Sequence, residues 1–294
     1  MIDLHIHTNY SDGADDLITV LKKAEENNLE YISITDHDNC NVYKELKQID
    51  VKQYYSGKII PGIEIKCGYR GRLIEVLGYK IDTDKLQAWA DEFYKDKTKP
   101  ILQQKYFELL YDKCLQLGLV LSDKEKIEFD NKTDWASVSI YKEIKKHKEN
   151  EEKVPADFWA EFNIFSKKYC GNPNHILYID KTKDYPSLSE AIDAIRNSGG
   201  IVFVAHLYIY KWAEDKDEML EDIVKNFKPD GFECMHSEFS EEQIKHIMEK
   251  CKEHHLYMSG GSDYHGVNKP NIEMKVGKGS LKVEAEIIKD WVSL

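Results

Sequence analysis

Long apolar runs are missing from this 294-residue sequence: no stretch approaches the roughly 18 consecutive apolar residues that a membrane-spanning helix needs. The opening MIDLHIHTNY has neither the basic start nor the apolar stretch of an export signal. We therefore expect a cytoplasmic protein with no membrane partner. Cysteine is sparse and scattered. The six residues (Cys40, Cys67, Cys114, Cys170, Cys234 and Cys251) include no Cys-x-x-Cys pair, which argues against a thiolate zinc site and against a disulfide framework, and leaves buried reduced thiols as the expectation. Positive charge is also short, with 41 basic against 53 acidic side chains, a formal charge of -12, and arginine only at Arg70, Arg72 and Arg196. Nonspecific nucleic-acid binding needs clustered Lys and Arg to release counterions, so an extended nucleic-acid surface is not expected, whereas a short nucleotide held through metal ions is compatible. Repeats and low-complexity tracts are absent as well.

What is present is an alternation of strand-like and helix-like segments, in a chain long enough for one large domain or two small ones. DLHIHT reads as a strand, and DDLITVLKKAEENN places Leu17, Val20, Leu21 and Ala24 on one helix face. YISITD is a second strand, a helix follows across 40–54, and KIIPGIEIKC and RLIEVLGYKID are two more strands around a turn at Tyr69-Arg70-Gly71-Arg72. From residue 187 the rhythm resumes as helix SLSEAIDAIRNSGG, strand IVFVAH, helix DEMLEDIVKNF, strand GFECMH, helix EEQIKHIMEKCKEHH and strand LYMSGGSD. About seven βα units predict an α/β fold, closed as a barrel related to the (β/α)8 type with its site at the C-terminal strand ends. The barrel is expected over 1–82 and 187–294. Residues 83–186, rich in Lys, Glu, Tyr and Trp, read as a mostly helical insertion covering the barrel mouth, and the charged KEIKKHKENEEK segment as a solvated face.

The histidines concentrate at strand ends. His5 and His7 are two apart on a strand, so both imidazoles face one side, as a shared metal requires. Asp12 follows in a turn, and Asp36 and His37 end the second strand. Glu64 stands between isoleucines, where a buried carboxylate needs a cation or donor to meet it. His206 and His236 close two later strands, and Asp263 and His265 repeat the two-residue spacing at the last one. A lone His-x-His pair means little, but five such pieces at converging strand ends point to a metal cluster.

These pieces resemble the PHP (polymerase and histidinol phosphatase) superfamily. The match rests on Asp3-Leu4-His5-Ile6-His7-Thr8 with Ser11-Asp12-Gly13, Thr35-Asp36-His37-Asp38, Ala205-His206, and Gly261-Ser262-Asp263-Tyr264-His265-Gly266. It covers about 1–82 and 187–268 and is nearest to the stand-alone phosphoesterases of nucleotide 3′,5′-bisphosphates or RNA 5′ ends. The resemblance implies a distorted (β/α)7 barrel with two to three divalent ions. It puts His5, His7, Glu64 and Asp263 on one metal, Glu64 with His206 on a second, and Asp12, His37 and His265 on a third. The chain departs from the family pattern at Glu75, where a histidine is common, and at Leu207, where proline is usual. We expect Glu75 to ligate the second metal, its harder carboxylate tilting that site from zinc towards manganese or magnesium.

Histidine and carboxylate donors without thiolate suit Mn²⁺, Fe²⁺ or Zn²⁺, with Mg²⁺ also compatible. Two or three such ions fit phosphoester hydrolysis by a water ionised between them. Asp36 is expected to orient an imidazole. His236 either protonates the leaving oxygen or binds phosphate, or is a capping or core histidine. Arg70 and Arg72 either grip a substrate phosphate or carry solvated charge at a hairpin tip. The expected partner is a small phosphorylated nucleotide, recognised in part by insertion aromatics such as Trp89, Trp135 and Trp159. Histidinol-phosphate hydrolysis is the alternative within the same chemistry, and a non-catalytic PHP module the alternative outside it. The sequence gives no reading of oligomeric state.

Overall fold

A computed structural model describes residues 1–293 of the chain. It divides into two compact units, the first made of Met1–Glu92 and Tyr185–Leu294 and the second of Phe93–Asp184. In chain order the first unit opens with β1 (Ile2–Ile6), α1 (Leu17–Glu26), β2 (Tyr31–Ile34), α2 (Val42–Leu46), β3 (Lys58–Ile59), β4 (Gly62–Tyr69), β5 (Arg72–Tyr79) and α3 (Thr83–Tyr94). The second unit carries α4 (Lys99–Gln116), α5 (Ala136–Lys146), α6 (Ala156–Ala160) and α7 (Phe162–Ile164). The chain then returns through α8 (Leu188–Asn197), β6 (Ile201–Val204), α9 (Lys216–Phe227), β7 (Gly231–His236), α10 (Glu241–Glu253), β8 (Tyr257–Gly261) and α11 (Lys289–Val292). Among the described residues, no helix is long and apolar enough to cross a membrane.

The fold is mixed α/β, but among the described residues its strands pair as two sheets, β1-β2-β3 and β4-β5-β6-β7-β8, and form no single closed ladder. Nor is every pair parallel, as seven uniform βα units would require: β5 runs antiparallel to both β4 and β6. The cause is local. Arg70 and Gly71 both have positive φ, 48° and 71°, the backbone of a two-residue hairpin that matches strand twist. No helix separates β4 from β5, and without a crossover the second strand must reverse. The remaining pairs, β1-β2, β2-β3, β6-β7 and β7-β8, are parallel. The sheets meet at two isolated parallel bridges, Ile6 with Tyr264 and His37 with Glu64.

Helices cover the strands as their apolar faces dictate. Leu17, Val20, Leu21 and Ala24 of α1 are all buried, and Asp16 caps the helix by accepting from the Thr19 N–H at 2.8 Å. Ser187 and Ser240 begin α8 and α10 with full capping boxes. The rhythm of the sequence assigns α3 to the insertion, yet Leu86 is buried in the first unit's core and Trp89 packs against it. The second unit has a core of its own, built on Phe107, Leu110, Ile140, Phe158 and Phe165. Trp291 of α11 is fully buried and stacks on Tyr79 with ring centroids 5.4 Å apart.

Candidate metal centre

β1 is buried along its whole length, and its period of two puts Asp3, His5 and His7 on one side. In the β4–β5 ladder Glu64 lies opposite Leu77 and Lys66 opposite Glu75, and directly opposed residues share a face. Ile63, Ile65 and Cys67 take the other face, into the core. Glu64, Lys66 and Glu75 therefore stand together. His206 and Asp263 sit just past β6 and β8 with φ of 28° and 59°, conformations that cost a non-glycine residue and are typical of functional sites.

The closest convergence joins four atoms. His5 Nε2 and His7 Nε2 are 3.1 Å apart, and each is 3.3 Å from Glu64 Oε2. Asp263 Oδ1 is 3.6 Å from the first and 3.5 Å from the second. Ligand atoms at about 2.1 Å from a central cation lie about 3.4 Å apart in a tetrahedral arrangement, a spacing that His5, His7 and Glu64 meet together and that Asp263 meets with the two imidazoles. The other Glu64 oxygen, Oε1, is 2.9 Å from His206 Nε2, which is itself 3.3 Å from Glu75 Oε2. Asp12 faces His265 Nε2 at 3.1 Å, His7 Nδ1 at 3.5 Å and His37 Nε2 at 3.6 Å. His37 stands between groups, its Nδ1 3.2 Å from Glu64 Oε2 and 3.9 Å from Glu75 Oε1. The nine side chains read from sequence as ligands thus come together, Glu75 included.

The electrostatics fit a cation as well. Burial would lower the His5 pKa, but the carboxylates of Glu233, Glu64 and Asp263 hold it well above the ordinary value. Burial dominates at His7, lowering it to about 3, although Glu64 pulls the other way. His206 rises to about 9: burial opposes this but is outweighed by the Glu64 hydrogen bond and the Glu64 and Glu75 charges. Glu64 and Asp263 lie well below the carboxylate range because the facing imidazoles, His5 first, overcome the cost of burial. Protons on His5 and His206 stand where cation charge is wanted. The buried ring atoms His37 Nδ1 and His236 Nε2 have no hydrogen-bond partner, as expected of groups built to meet a ligand.

Two supporting carboxylates were not picked out from the sequence. Glu233, fully buried on β7, accepts from His5 Nδ1 at 2.8 Å and from the His206 backbone N–H at 2.8 Å. It fixes the His5 tautomer and leaves the Nε2 lone pair for the cluster. Its only signal in the sequence is an acid between Phe232 and Cys234, the same kind that marks Glu64. Asp3, also buried, accepts from Ser262 Oγ at 2.6 Å and from the Ser262 and Lys275 N–H groups at 2.8 Å each, tying β1 to the end of β8.

The remaining candidates are placed as follows. Asp36 accepts from Thr8 N (2.8 Å), Thr8 Oγ1 (2.6 Å) and Ser11 Oγ (2.6 Å); it shapes the turn after β1 and meets an imidazole only through Ser11, 3.4 Å from His7 Nδ1. Arg70 is committed to α9, 2.9 Å from both Glu218 Oε1 and Asp222 Oδ1. Arg72 starts β5 opposite Tyr69, with Tyr69 five residues and roughly 16 Å along the strand from Glu64. His236 is buried at the end of β7, and its two ring nitrogens face different partners. Its Nδ1 accepts the Glu238 N–H at 3.1 Å, which leaves the proton of the neutral ring on Nε2, 3.5 Å from Asp263 Oδ2.

The strand ends and side-chain set define a metal-dependent hydrolase of the phosphoesterase class. The PHP domain family matches residues 3–232, and the chain belongs to that family. Relatives include the phosphoribosyl 1,2-cyclic phosphate 1,2-diphosphodiesterase of Eggerthella lenta, 23% identical over 90% of this chain and 94% of its own. The 5′-3′ exoribonuclease Rnm of Escherichia coli is 22% identical over 90% and 84%. The 3′,5′-nucleoside bisphosphate phosphatase of Chromobacterium violaceum is 22% identical over 90% and 87%. Among solved structures, a protein of Bifidobacterium adolescentis assigned as a metal-dependent phosphoesterase aligns over 99% of this chain and 95% of its own, with a TM-score of 0.64 at 20% identity, a likeness of fold.

Proposed function

We propose that this PHP-family phosphoesterase hydrolyses a phosphate ester of a small nucleotide, either a nucleoside 3′,5′-bisphosphate or a short oligonucleotide end. The carrying observation is the approach of Glu64 Oε2 and of Asp263 Oδ1 to His5 Nε2 and His7 Nε2 at 3.3–3.6 Å, the two imidazole nitrogens 3.1 Å apart, with Glu64 Oε1 turned to His206. On this reading two to three divalent ions are held by those four residues, by Glu64, Glu75 and His206, and by Asp12, His37 and His265. Bound there, such ions supply Lewis acidity toward water and phosphate oxygen. Glu64 spans two groups with its two oxygens, Glu233 orients His5, and His236 Nε2–H donates to the leaving oxygen. We read the two sheets as a distorted (β/α)7 barrel opened at two seams.

A second substrate reading, a cyclic phosphate of a sugar, is favoured by the name of the Eggerthella relative. The test compares kcat/KM on one Mn²⁺-loaded preparation for a nucleoside 3′,5′-bisphosphate, a 5′-phosphorylated RNA oligonucleotide, a ribose cyclic phosphate and histidinol phosphate. The bisphosphate is expected to exceed histidinol phosphate, because specificity is differential transition-state binding at equal metal loading. A clear advantage for histidinol phosphate moves the assignment to that substrate. No turnover of any ester, with less than one ion per chain, leaves a non-catalytic module.

A further inference from the structure

Arg70 and Arg196 are engaged away from the cluster: Arg70 is held by α9, and Arg196 by the Lys228 carbonyl and Asp230. Two lysines stand at the cluster instead. Lys66, directly opposite Glu75 in the β4–β5 ladder, brings Nζ to 3.1 Å from Glu75 Oε1. Lys269, in the loop after β8, brings Nζ to 2.6 Å from Asp263 Oδ2.

Each of these carboxylates divides its oxygens in the same way. Asp263 turns Oδ1 to His5, His7 and His265, and Oδ2 to Lys269 and His236. Glu75 turns Oε2 to His206 and Oε1 first to Lys66, with His37 Nδ1 farther off at 3.9 Å. An ammonium has three donors, and one carboxylate oxygen uses one of them. Both lysine side chains keep solvent access, 30% for Lys66 and 39% for Lys269, so each can take a further acceptor. A phosphate dianion approaching Asp12, Glu64, Glu75 and Asp263 meets concentrated negative charge, and cations at the rim offset it where the substrate must land.

We propose that Lys66 and Lys269 are substrate-binding residues whose ammonium groups donate to oxygens of the scissile phosphate, the task arginine performs bidentately in other phosphate sites. The proposal rests on the phosphoesterase reading. The competing role, neutralising Glu75 and Asp263 as metal ligands, acts on metal affinity alone.

The test uses the Mn²⁺-loaded full chain and its Lys66→Met, Lys269→Met and double variants, with inorganic phosphate as the binding probe by calorimetry and a phosphomonoester for turnover. At saturating Mn²⁺ each single variant is expected to weaken phosphate binding and raise KM by about tenfold, the scale of one charge-assisted hydrogen bond, with a much smaller change in kcat. The double variant is expected to lose about a hundredfold. Lys66→Arg and Lys269→Arg should recover most of the binding, and Lys→Gln variants replace any methionine variant that does not fold. Phosphate bound equally by wild type and all variants would overturn the assignment, as would a loss that disappears when Mn²⁺ is raised. Phosphate binding that depends on the lysines in a wild type that turns over no ester would leave the lysines in place and sink the phosphoesterase reading instead.

Discussion

Replacing Glu233 by glutamine tests how far the cluster depends on the carboxylate behind it. Glu233 accepts two N–H groups, one on each oxygen: His5 Nδ1 on Oε1 and the His206 amide on Oε2, both at 2.8 Å. Glutamine has the same shape but one oxygen, so its NH₂ must oppose one of these donors inside a fully buried site. One N–H is left unsatisfied, at about 1–3 kcal/mol, and the negative charge that biases His5 Nε2 towards ligation is gone. Losing such a partner behind a ligand usually weakens metal binding about 10–100-fold, or about 1.4–2.8 kcal/mol. We expect Glu233→Gln to fold, to bind Mn²⁺ 10–100-fold more weakly in a competitive chelator titration, and to regain much of its turnover at saturating metal. Unchanged Mn²⁺ affinity would refute the reasoning, because the variant cannot satisfy both donors in the observed geometry.

Glu75→Ala should lower metal content by about one ion per chain in elemental analysis and cut turnover strongly, whereas Glu75→His should restore both and shift preference towards Zn²⁺; unchanged content in Glu75→Ala would remove Glu75 from the ligand set. Arg70→Ala should leave kcat/KM within about twofold and barely move the urea midpoint, since its pairs with Glu218 and Asp222 are solvent-exposed. In the second unit Glu143 is 1% exposed, and although burial alone would raise its pKa, hydrogen bonds from Ser122, Lys146 and His147 bring it to about 2. Because the folded-state value is depressed, its contribution is complete above the unfolded value near 4.5 and is lost as pH falls towards 2. Urea unfolding should show Glu143→Gln costing most at pH 7, with about 2 kcal/mol of the difference gone by pH 3; a pH-independent difference would show that the charge is not what stabilises.

The converging side chains were legible because each obeys a local rule. His5 and His7 share strand parity, and Glu64 sits where an unpartnered carboxylate would be too costly. Glu233 carries the same signal as Glu64, yet alternation hides it. His236 is three residues on, so strict parity would put the two on opposite faces, but the ladder register shifts between Glu233 and Met235 and both reach the cluster. Long-range partners were equally hidden: the acceptors of Arg70 lie about 150 residues downstream, and Asp36 is turned towards Thr8 and Ser11 rather than a ring. Lys66 reads as a routine strand-surface lysine until the hairpin register sets it against Glu75. The βα rhythm was real, but it could not show that a tight hairpin reverses β5, or that Leu86 closes the first unit's core and so draws α3 into it.

The two isolated bridges have a consequence for persistence as well as for catalysis. At one, the His7 N–H reaches the Tyr264 carbonyl at 2.9 Å; at the other, the Asp38 N–H reaches the Glu64 carbonyl at 2.8 Å. Elsewhere the sheets are zipped by continuous ladders, but here single rungs join strands whose tips carry His5, His7 and His37 on one side and Glu64, Asp263 and His265 on the other. On the proposed function, a divalent ion held by donors from both margins would be a rivet across the gap. Binding to the native form alone then adds RT ln(1 + [M]/Kd), about 2.7 kcal/mol per ion at a hundredfold excess over Kd. Ambient metal would thus govern the lifetime of the folded chain, and chelation would start unravelling along these margins, where amide exchange should quicken first.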